Sequence, residues 1–156
     1  MRNLLNKLGL LVPCAALLTA QAPLAPTRLA GDHIASRASA LKGSLKDGVA
    51  TESLANWGNH SFMVIRREAT GQAEFHENQA DIIIVRAGRA TMQIGGKVVG
   101  GKPTAPGEIR GTSIDGGEVV SLSPGDVIHV QPKTPHMAIL EKGQFVEYMT
   151  IKVDAK

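Results

Sequence analysis

Cysteine and aromatic residues are scarce in this sequence, and their scarcity removes several classes of function. The 156 residues include one cysteine, so neither an intrachain disulfide nor a zinc site built from cysteines can form. Aromatic residues make up 3% of the chain, too few for a base-stacking surface that binds single-stranded nucleic acid. The sequence also lacks the Gly-x-Ser-x-Gly element of a serine nucleophile and the Gly-x4-Gly-Lys-Ser loop that holds nucleotide phosphates.

What remains is the composition of a folded domain. Charged residues make up 20% of the chain and apolar residues 43%, a balance typical of a globule and not of a disordered segment. A chain of this length accommodates one domain. The 17 glycines and 8 prolines predict frequent turns, and therefore many short strands.

Residues 1–22 are predicted to be a signal peptide. Arg2 and Lys7 form a short basic region, Leu8–Ala20 is uncharged and largely apolar, and Ala20-Gln21-Ala22 has the small-x-small pattern of a cleavage site. The apolar run is shorter than the ~20 residues that a membrane-spanning helix needs, so cleavage is favoured over anchoring. Pro23 would follow the scissile bond, and cleavage after Ala20 is the alternative. We therefore expect a periplasmic or secreted protein, not associated with the membrane after cleavage.

The leader accounts for much of the chain's basic character. The whole sequence has 17 basic and 14 acidic residues, a net charge of +3, and cleavage would remove two of the basic residues and none of the acidic ones. The mature chain is therefore expected to be almost neutral. No nucleic-acid partner is expected, because binding to phosphates requires a concentrated basic surface.

The mature chain is predicted to begin with a linker and a short helix over residues 23–58. Ala38, Leu41 and Leu45 recur at helical spacing within Ser36–Asp47, and Gly48 is suited to end the helix. Residues 59–156 are predicted to form the barrel. Its strands are expected at His60–Glu68, Gln72–His76, Asp81–Ala87, Ala90–Ile94, Lys97–Val99, Glu118–Leu122, Val127–Gln131, His136–Leu140 and Phe145–Val153, with residues 100–117 as an elaborated loop that could include one short strand.

Short strands separated by regular turns predict an all-β fold, a small sandwich or jelly-roll barrel with a short N-terminal helix. Successive strand residues point to opposite faces, so Glu74 and His76 share one face, and Asp81 shares a face with Ile83 and Val85. His136 begins a much later strand. These four polar residues could converge at one end of the barrel, where carboxylate and imidazole groups would suit a divalent metal ion.

The spacing of these residues resembles the two motifs of the cupins. The stretch Glu74-x-His76-x4-Asp81-x6-Gly88 keeps the spacing of the first motif, in which histidine and glutamate occupy the positions of Glu74 and Asp81. Gly125 lies eleven residues before His136, as the second motif requires. The segments QAEFH, PGEIRGTSI and GDVIHVQPKTPH are also similar to a group of small exported bacterial cupins whose function is unsettled. The resemblance spans about half the chain and implies a double-stranded β-helix.

The resemblance implies that Glu74, His76, Asp81 and His136 bind one divalent metal. Two carboxylates neutralise a divalent ion, and the extra oxygen ligation favours Mn²⁺ or Fe²⁺ over copper, with Zn²⁺ and Ni²⁺ also compatible. The motifs also depart from the family. Gln131, Lys133 and Leu140 stand where proline, glycine and asparagine are usual.

Several further polar residues have no assigned role. His129 could face the cavity or the exterior, and His60 could line its mouth or bind nothing. Glu108 and Arg110 could gate the cavity, bind an anionic substrate, or form a solvated loop pair. Arg66 and Arg67 point to opposite faces of one strand.

Three functions stay open on the sequence alone. The favoured one is an exported cupin that binds a metal ion and a small polar molecule, with oxygenase, lyase or isomerase chemistry all compatible with the fold. The second is a non-catalytic module that binds or senses a small ligand, and the third is a metal-free, vestigial cupin homodimer. The resemblance implies homodimerisation, and Ile82 and Ile84 lie opposite the ligand face, where a second copy or the N-terminal helix could cover them.

Overall fold

The computed structural model describes residues 27–155, so the expected signal peptide lies outside the described residues. Within this range the chain forms one α-helix, α1 (Gly31–Ala40), a 3-10 turn (Leu41–Ser44) and thirteen strands. The strands are β1 (Val49–Asn56), β2 (His60–Arg67), β3 (Ala73–His76), β4 (Gln79–Gly88), β5 (Ala90–Ile94), β6 (Lys97–Val99), β7 (Lys102–Ala105), β8 (Glu108–Gly111), β9 (Ser113–Asp115), β10 (Glu118–Leu122), β11 (Val127–Val130), β12 (His136–Ile139) and β13 (Val146–Asp154).

Two antiparallel sheets form the body of the fold, which confirms the predicted all-β class. One sheet has the strand order β1-β2-β13-β4-β11, and the other has the order β10-β5-β12-β3-β8-β7. Strands β6 and β9 form a separate two-stranded ribbon. The order within each sheet brings together strands that are distant in the chain, such as β13 and β2, so the side chains of an inner face come from several sequence regions.

The main core lies between the two sheets and follows the alternation of inward and outward residues. On β4, Asp81, Ile83 and Val85 are buried, as predicted, whereas Ile82 and Ile84 on the other face are half-buried. The inward residues of the first sheet pack against inward residues of the second, including Met92 and Ala138. Burying this apolar surface stabilises the barrel.

The helix begins five residues earlier than the expected start at Ser36. Its apolar stripe starts at Ile34, continues through Ala38 and ends with Leu41 in the 3-10 turn, a spacing that keeps all three on one face. These side chains pack on the outer face of the first sheet against Ala50 and Val64. The helix therefore covers the β1 and β2 end of that sheet, and Ile82 and Ile84 belong to no part of this cluster.

Strands form in two segments where the sequence did not predict them. Residues 49–56, expected in the linker and helix segment, form β1 at the edge of the first sheet, with Ala50 as the buried residue of that strand. The expected loop of residues 100–117 contains β7, β8 and β9. All four residues of β7 are exposed, so no apolar alternation marked it. Among residues 27–155, no helix combines the length and the apolar character needed to cross a membrane.

Candidate metal centre

The two sheets together place the four predicted residues around one point inside the barrel. In the second sheet, β3 carries Glu74 and His76, and β12 pairs with β3 so that His136 lies directly opposite Glu74. Asp81 reaches the same point from β4 in the first sheet. The convergence depends on the sheet topology, because the paired residues Glu74 and His136 are distant in the chain.

Glu74, His76 and His136 form a buried group that could hold a metal ion. One donor atom from each of the three lies within 4.8 Å of the others. Both histidines are almost fully buried, with 3% and 4% of their surface exposed. Asp81 approaches the group from the opposite sheet, and its Oδ2 lies 3.5 Å from the Nε2 atoms of both His76 and His136.

The hydrogen bonds of the two imidazole rings leave their Nε2 atoms suited to ligation. Nδ1 of His136 lies 3.2 Å from the carbonyl oxygen of Thr134, which can only accept, so Nδ1 carries the proton. Nδ1 of His76 lies 2.6 Å from Oε2 of Glu108, a carboxylate acceptor. In its neutral form each ring therefore keeps its proton on Nδ1 and presents the lone pair of Nε2 to the site, as metal-binding histidines do.

A backbone hydrogen bond connects the two segments that resemble the cupin motifs. The N–H of Lys133 donates to the carbonyl oxygen of His76 at 2.7 Å. Lys133 has a φ of 63°, the left-handed conformation that glycine adopts most easily, and it stands where the cupin motif has glycine. The chain therefore keeps the turn that leads to His136 while lacking the residue that normally makes it.

Lys152 is a member of the site that the sequence did not reveal. It lies on β13 directly opposite Asp81 on β4. Its Nζ donates to the two carboxylate oxygens of Asp81 at 2.8 and 3.1 Å and lies 3.0 Å from Nε2 of His76. The ammonium group thus contacts two of the four residues expected to bind the metal.

Two arginines hold the other carboxylate. Arg67 donates to Glu74 Oε1 at 2.9 Å, and the guanidinium of Arg110 lies 3.4 Å from Glu74 Oε2. Arg67 also donates through Nε to the hydroxyl of Tyr148 at 2.7 Å. Arg110 pairs with Glu108 as well, at 3.1 Å. Glu108 and Arg110 therefore belong to the site and are not a solvated loop pair.

These neighbours keep both carboxyl groups ionised. Burial alone would raise the pKa of Glu74, but the charges of His136, Arg110 and Arg67 outweigh it and hold that pKa below its ordinary value. Burial opposes ionisation of Asp81 too, and its contacts with His136 and His76 together with the charge and hydrogen bonds of Lys152 lower its pKa strongly. Burial raises the pKa of Tyr148, whose hydroxyl therefore keeps its proton at neutral pH.

The site opens into a cavity of about 700 Å³ between the sheets. This volume lies within the range of roughly 300–1,000 Å³ found for small-molecule sites. Polar and charged groups line one part of it, among them Arg67, Arg110, Tyr148, Thr150 and Lys152, and apolar side chains line another, among them Met63, Ile65, Ile83, Met92 and Ala138. The interior of the barrel is therefore neither sealed nor uniformly apolar.

The remaining candidates lie outside the site. His129 is exposed on β11, opposite Ile82 on β4. His60 stacks on Trp57 with ring centroids 5.0 Å apart, and its Nδ1 lies 2.7 Å from Oδ1 of Asn59. Arg66 pairs with Glu147 on the face opposite to Arg67.

The alternation of side chains along each strand could have grouped the site residues that the sequence analysis did not identify. Tyr148, Thr150 and Lys152 are two apart along β13, and Met63, Ile65 and Arg67 are two apart along β2; both rows line the cavity. Glu108 and Arg110 are likewise two residues apart on β8 and therefore share a face. What the sequence did not show was the strand order that brings these rows next to Glu74 and Asp81.

Comparison with known proteins identifies the fold. No protein-family model and no curated protein matches the sequence. Solved structures do match: a cupin-2 domain protein from Rhodospirillum rubrum has a TM-score of 0.51 at 11% identity, over 68% of this chain and 60% of that one. The DMSP lyase DddQ from Ruegeria pomeroyi has a TM-score of 0.50 at 16% identity, over 81% of this chain and 51% of that one.

A third structure, the polyketide cyclase RemF from Streptomyces resistomycificus, has a TM-score of 0.50 at 13% identity, over 70% of this chain and 67% of that one. The chain spans 60% of the Rhodospirillum rubrum protein's length and about half that of the lyase. These likenesses confirm the expected cupin fold. At such identities they say nothing of the reaction or the ligand.

Proposed function

We propose that this chain is a divalent-metal-binding cupin that takes a small acidic molecule into its barrel. The observation that carries the proposal is the convergence of donor atoms from Glu74, His76 and His136 within 4.8 Å of one another. The donor set fits a divalent ion, because each ring in its neutral form presents an Nε2 lone pair and Glu74 is ionised. Asp81 is close enough to supply an oxygen as the fourth ligand once it is released from Lys152.

Oxygen ligation from Glu74, and from Asp81 when available, favours Mn²⁺ or Fe²⁺, with Zn²⁺ and Ni²⁺ as further candidates. When bound, such an ion would act as a Lewis acid on an oxygen of the substrate. The fold supports oxygenase, lyase and isomerase reactions alike, so the proposal names no reaction.

The cavity supports an acidic ligand with an apolar part. The guanidinium groups of Arg67 and Arg110 and the hydroxyl of Tyr148 line it and can donate hydrogen bonds to a carboxylate. The side chain of Arg110 is 27% exposed, more than that of Arg67 at 12%, and is the more accessible of the two guanidinium groups. Met63, Ile65 and Met92 would contact the apolar part of the molecule.

Calorimetric titration of the chelator-treated protein with Mn²⁺ and Zn²⁺ tests the metal proposal. We expect one ion per chain in the wild type and loss of binding in H136A, because His136 supplies one of the three converging donors. H129A is the matched control, since His129 is an exposed histidine on a strand of the same barrel. Absence of binding by the wild type, or equal loss in both variants, would contradict the proposal.

A thermal-shift screen with small organic acids, in the presence and absence of Mn²⁺, tests the ligand proposal. We expect acids to raise the melting temperature and R110A to reduce that effect. Neutral analogues of the same acids are the comparison. If they raise the melting temperature by as much as the acids do, the ligand is not recognised by its acidic group.

We further propose that the chain acts outside the cytoplasm as a homodimer. Export is supported by the basic and apolar pattern of residues 1–22. Dimerisation is supported by the outer face of the first sheet, where the half-buried Ile84 lies opposite Val127, which is 63% exposed. Cell fractionation tests export, and a cytoplasmic location would contradict it. Light scattering of the wild type and V127E tests dimerisation, and a monomeric wild type would contradict it.

A further inference from the structure

Lys152 is fixed beside the metal ligands by the backbone. Strand β13 lies between β2 and β4 in the centre of the first sheet, and Lys152 pairs directly with Asp81. Movement of the ammonium group must therefore come from rotation of the side chain and not from the strand. The Lys152 side chain is 18% exposed and lines the cavity, so the group has space into which it can turn.

The ammonium group uses the same lone pairs that a metal ion would use. Nζ lies 3.0 Å from Nε2 of His76 and 2.8 Å from Oδ1 of Asp81. A zinc ion ligated by Nε2, for example, sits about 2.0–2.1 Å from it. One lone pair cannot accept a hydrogen bond from Lys152 and bind a metal at the same time.

The charges of the site are balanced by the protein's own side chains. Glu74, Asp81 and Glu108 carry negative charge, and each contacts at least one of Arg67, Arg110 and Lys152. Three carboxylates thus face three cations, so these side chains, the imidazoles aside, already balance one another before a divalent ion enters. Of the three cations, Lys152 is the one that contacts a predicted histidine ligand.

We propose that Lys152 is a built-in competitor of the metal ion: the ammonium group holds Asp81 and His76 in the metal-free protein, and metal binds only when it is displaced into the cavity. This inference rests on the proposed function, since it concerns the same centre. Lys152 would then lower the affinity for metal and determine whether Asp81 is free to act as a ligand.

The test is calorimetric titration of chelator-treated K152M with Mn²⁺ and Zn²⁺. Methionine keeps most of the unbranched side chain and removes the charge, so we expect binding at least about tenfold tighter than in the wild type, as removal of a competing charge from a partly buried site predicts. K142M is the matched control, because Lys142 is exposed in the turn before β13. Its affinity should equal that of the wild type.

A second comparison covers the case in which unpaired Asp81 prevents K152M from folding. D81N and the double variant D81N/K152M both lack the Asp81 charge and differ only in Lys152. We expect the double variant to bind metal more tightly than D81N, because His76 is then released.

The outcomes separate this inference from the proposed function. Equal affinities of the wild type and K152M, with stoichiometric binding in both, would overturn the inference and leave the metal proposal standing. Binding by K152M but not by the wild type would support the inference and overturn the metal proposal for the natural chain. If neither the wild type nor the two Lys152 variants bind metal, both proposals fail.

Discussion

Glu108 is not among the residues expected to bind the metal, but it contacts one of them, His76. Its carboxylate accepts from Nδ1 of His76 at 2.6 Å and is itself held by Arg110 at 3.1 Å. This bond orients the ring and places the proton on Nδ1, which leaves Nε2 as the donor atom. Glu108 is therefore a positioning residue for His76.

Removing Glu108 should weaken metal binding without abolishing it. We expect E108A to lower the affinity by roughly 10- to 100-fold, the usual effect of losing such a partner, and E108Q to restore part of it because the amide oxygen also accepts. Titration with Mn²⁺ measures this. E118A, which changes an exposed glutamate on β10, should behave as the wild type. Equal affinities of E108A and E118A would contradict the role.

Arg66 and Glu147 form a buried ion pair on the opposite side of the β2–β13 ladder from the site. The side chains are 9% and 8% exposed, and the Arg66 guanidinium also lies 4.3 Å from the ring centroid of Phe145. Breaking such a pair leaves one charge buried without its partner.

We expect E147A to lower the free energy of unfolding by about 3 kcal/mol, the lower end of the range for buried pairs, because Glu68 still contacts Arg66 at 2.7 Å. Urea unfolding monitored by circular dichroism measures the change. E141A, an exposed glutamate in the preceding turn, is the control. A loss of less than about 1 kcal/mol would show that the pair behaves as a surface one.

At the scale of elements, α1 stabilises the barrel from outside and is separate from the cavity. Ile34, Ala38 and Leu41 pack against Ala50 and Val64, whereas none of these five residues lines the cavity. Loss of apolar contacts there should therefore affect stability and leave the metal centre intact.

L41A should lower the free energy of unfolding by about 2–4 kcal/mol, as expected when a buried leucine is truncated. Its affinity for Mn²⁺ should remain within about twofold of the wild-type value, because additivity holds for sites without shared partners. Chemical unfolding and metal titration on the same preparation measure both. A large fall in affinity would mean that the helix is coupled to the site.

The elements that the sequence predicted well are those with an apolar run next to a turn signal. β4 carries a run of β-branched residues before Gly88, and β12 follows the turn between Pro132 and Pro135, so Asp81 and His136 could be placed at the starts of strands. β1 and β7 have few buried residues and gave no such signal. Lys152 could be assigned to a strand but not to the site, because its position beside Asp81 depends on pairing between β13 and β4, which are distant in the chain. Arg67 is close to Glu74 in the chain, but their strands belong to different sheets, and the sequence does not show how the two sheets face each other.

At the scale of the whole molecule, the charges gathered inside the barrel link folding to pH. Glu74 and Asp81 have folded-state pKa values below their ordinary ones, despite the opposing effect of burial, because cations and imidazoles surround them. In acid the unfolded chain therefore binds more protons than the folded chain. The stability that they contribute is present above about pH 5 and is lost as pH falls through the folded-state values.

We therefore expect the free energy of unfolding of the metal-free protein to fall between about pH 5 and pH 3, measured by urea unfolding. The double variant E74Q/D81N should show a smaller slope over that interval, since neither amide binds a proton. A slope equal to that of the wild type would assign the acid sensitivity to other groups.

The proposed function depends on a divalent ion bound inside the barrel, between the two sheets. Anomalous diffraction from crystals grown with Mn²⁺ tests for this ion, because it locates the ion relative to its ligands. We expect one peak within coordination distance of Nε2 of His76, Nε2 of His136 and an oxygen of Glu74, with Nζ of Lys152 turned away from His76. A barrel without a peak, with Lys152 still on Asp81 and His76, would contradict it.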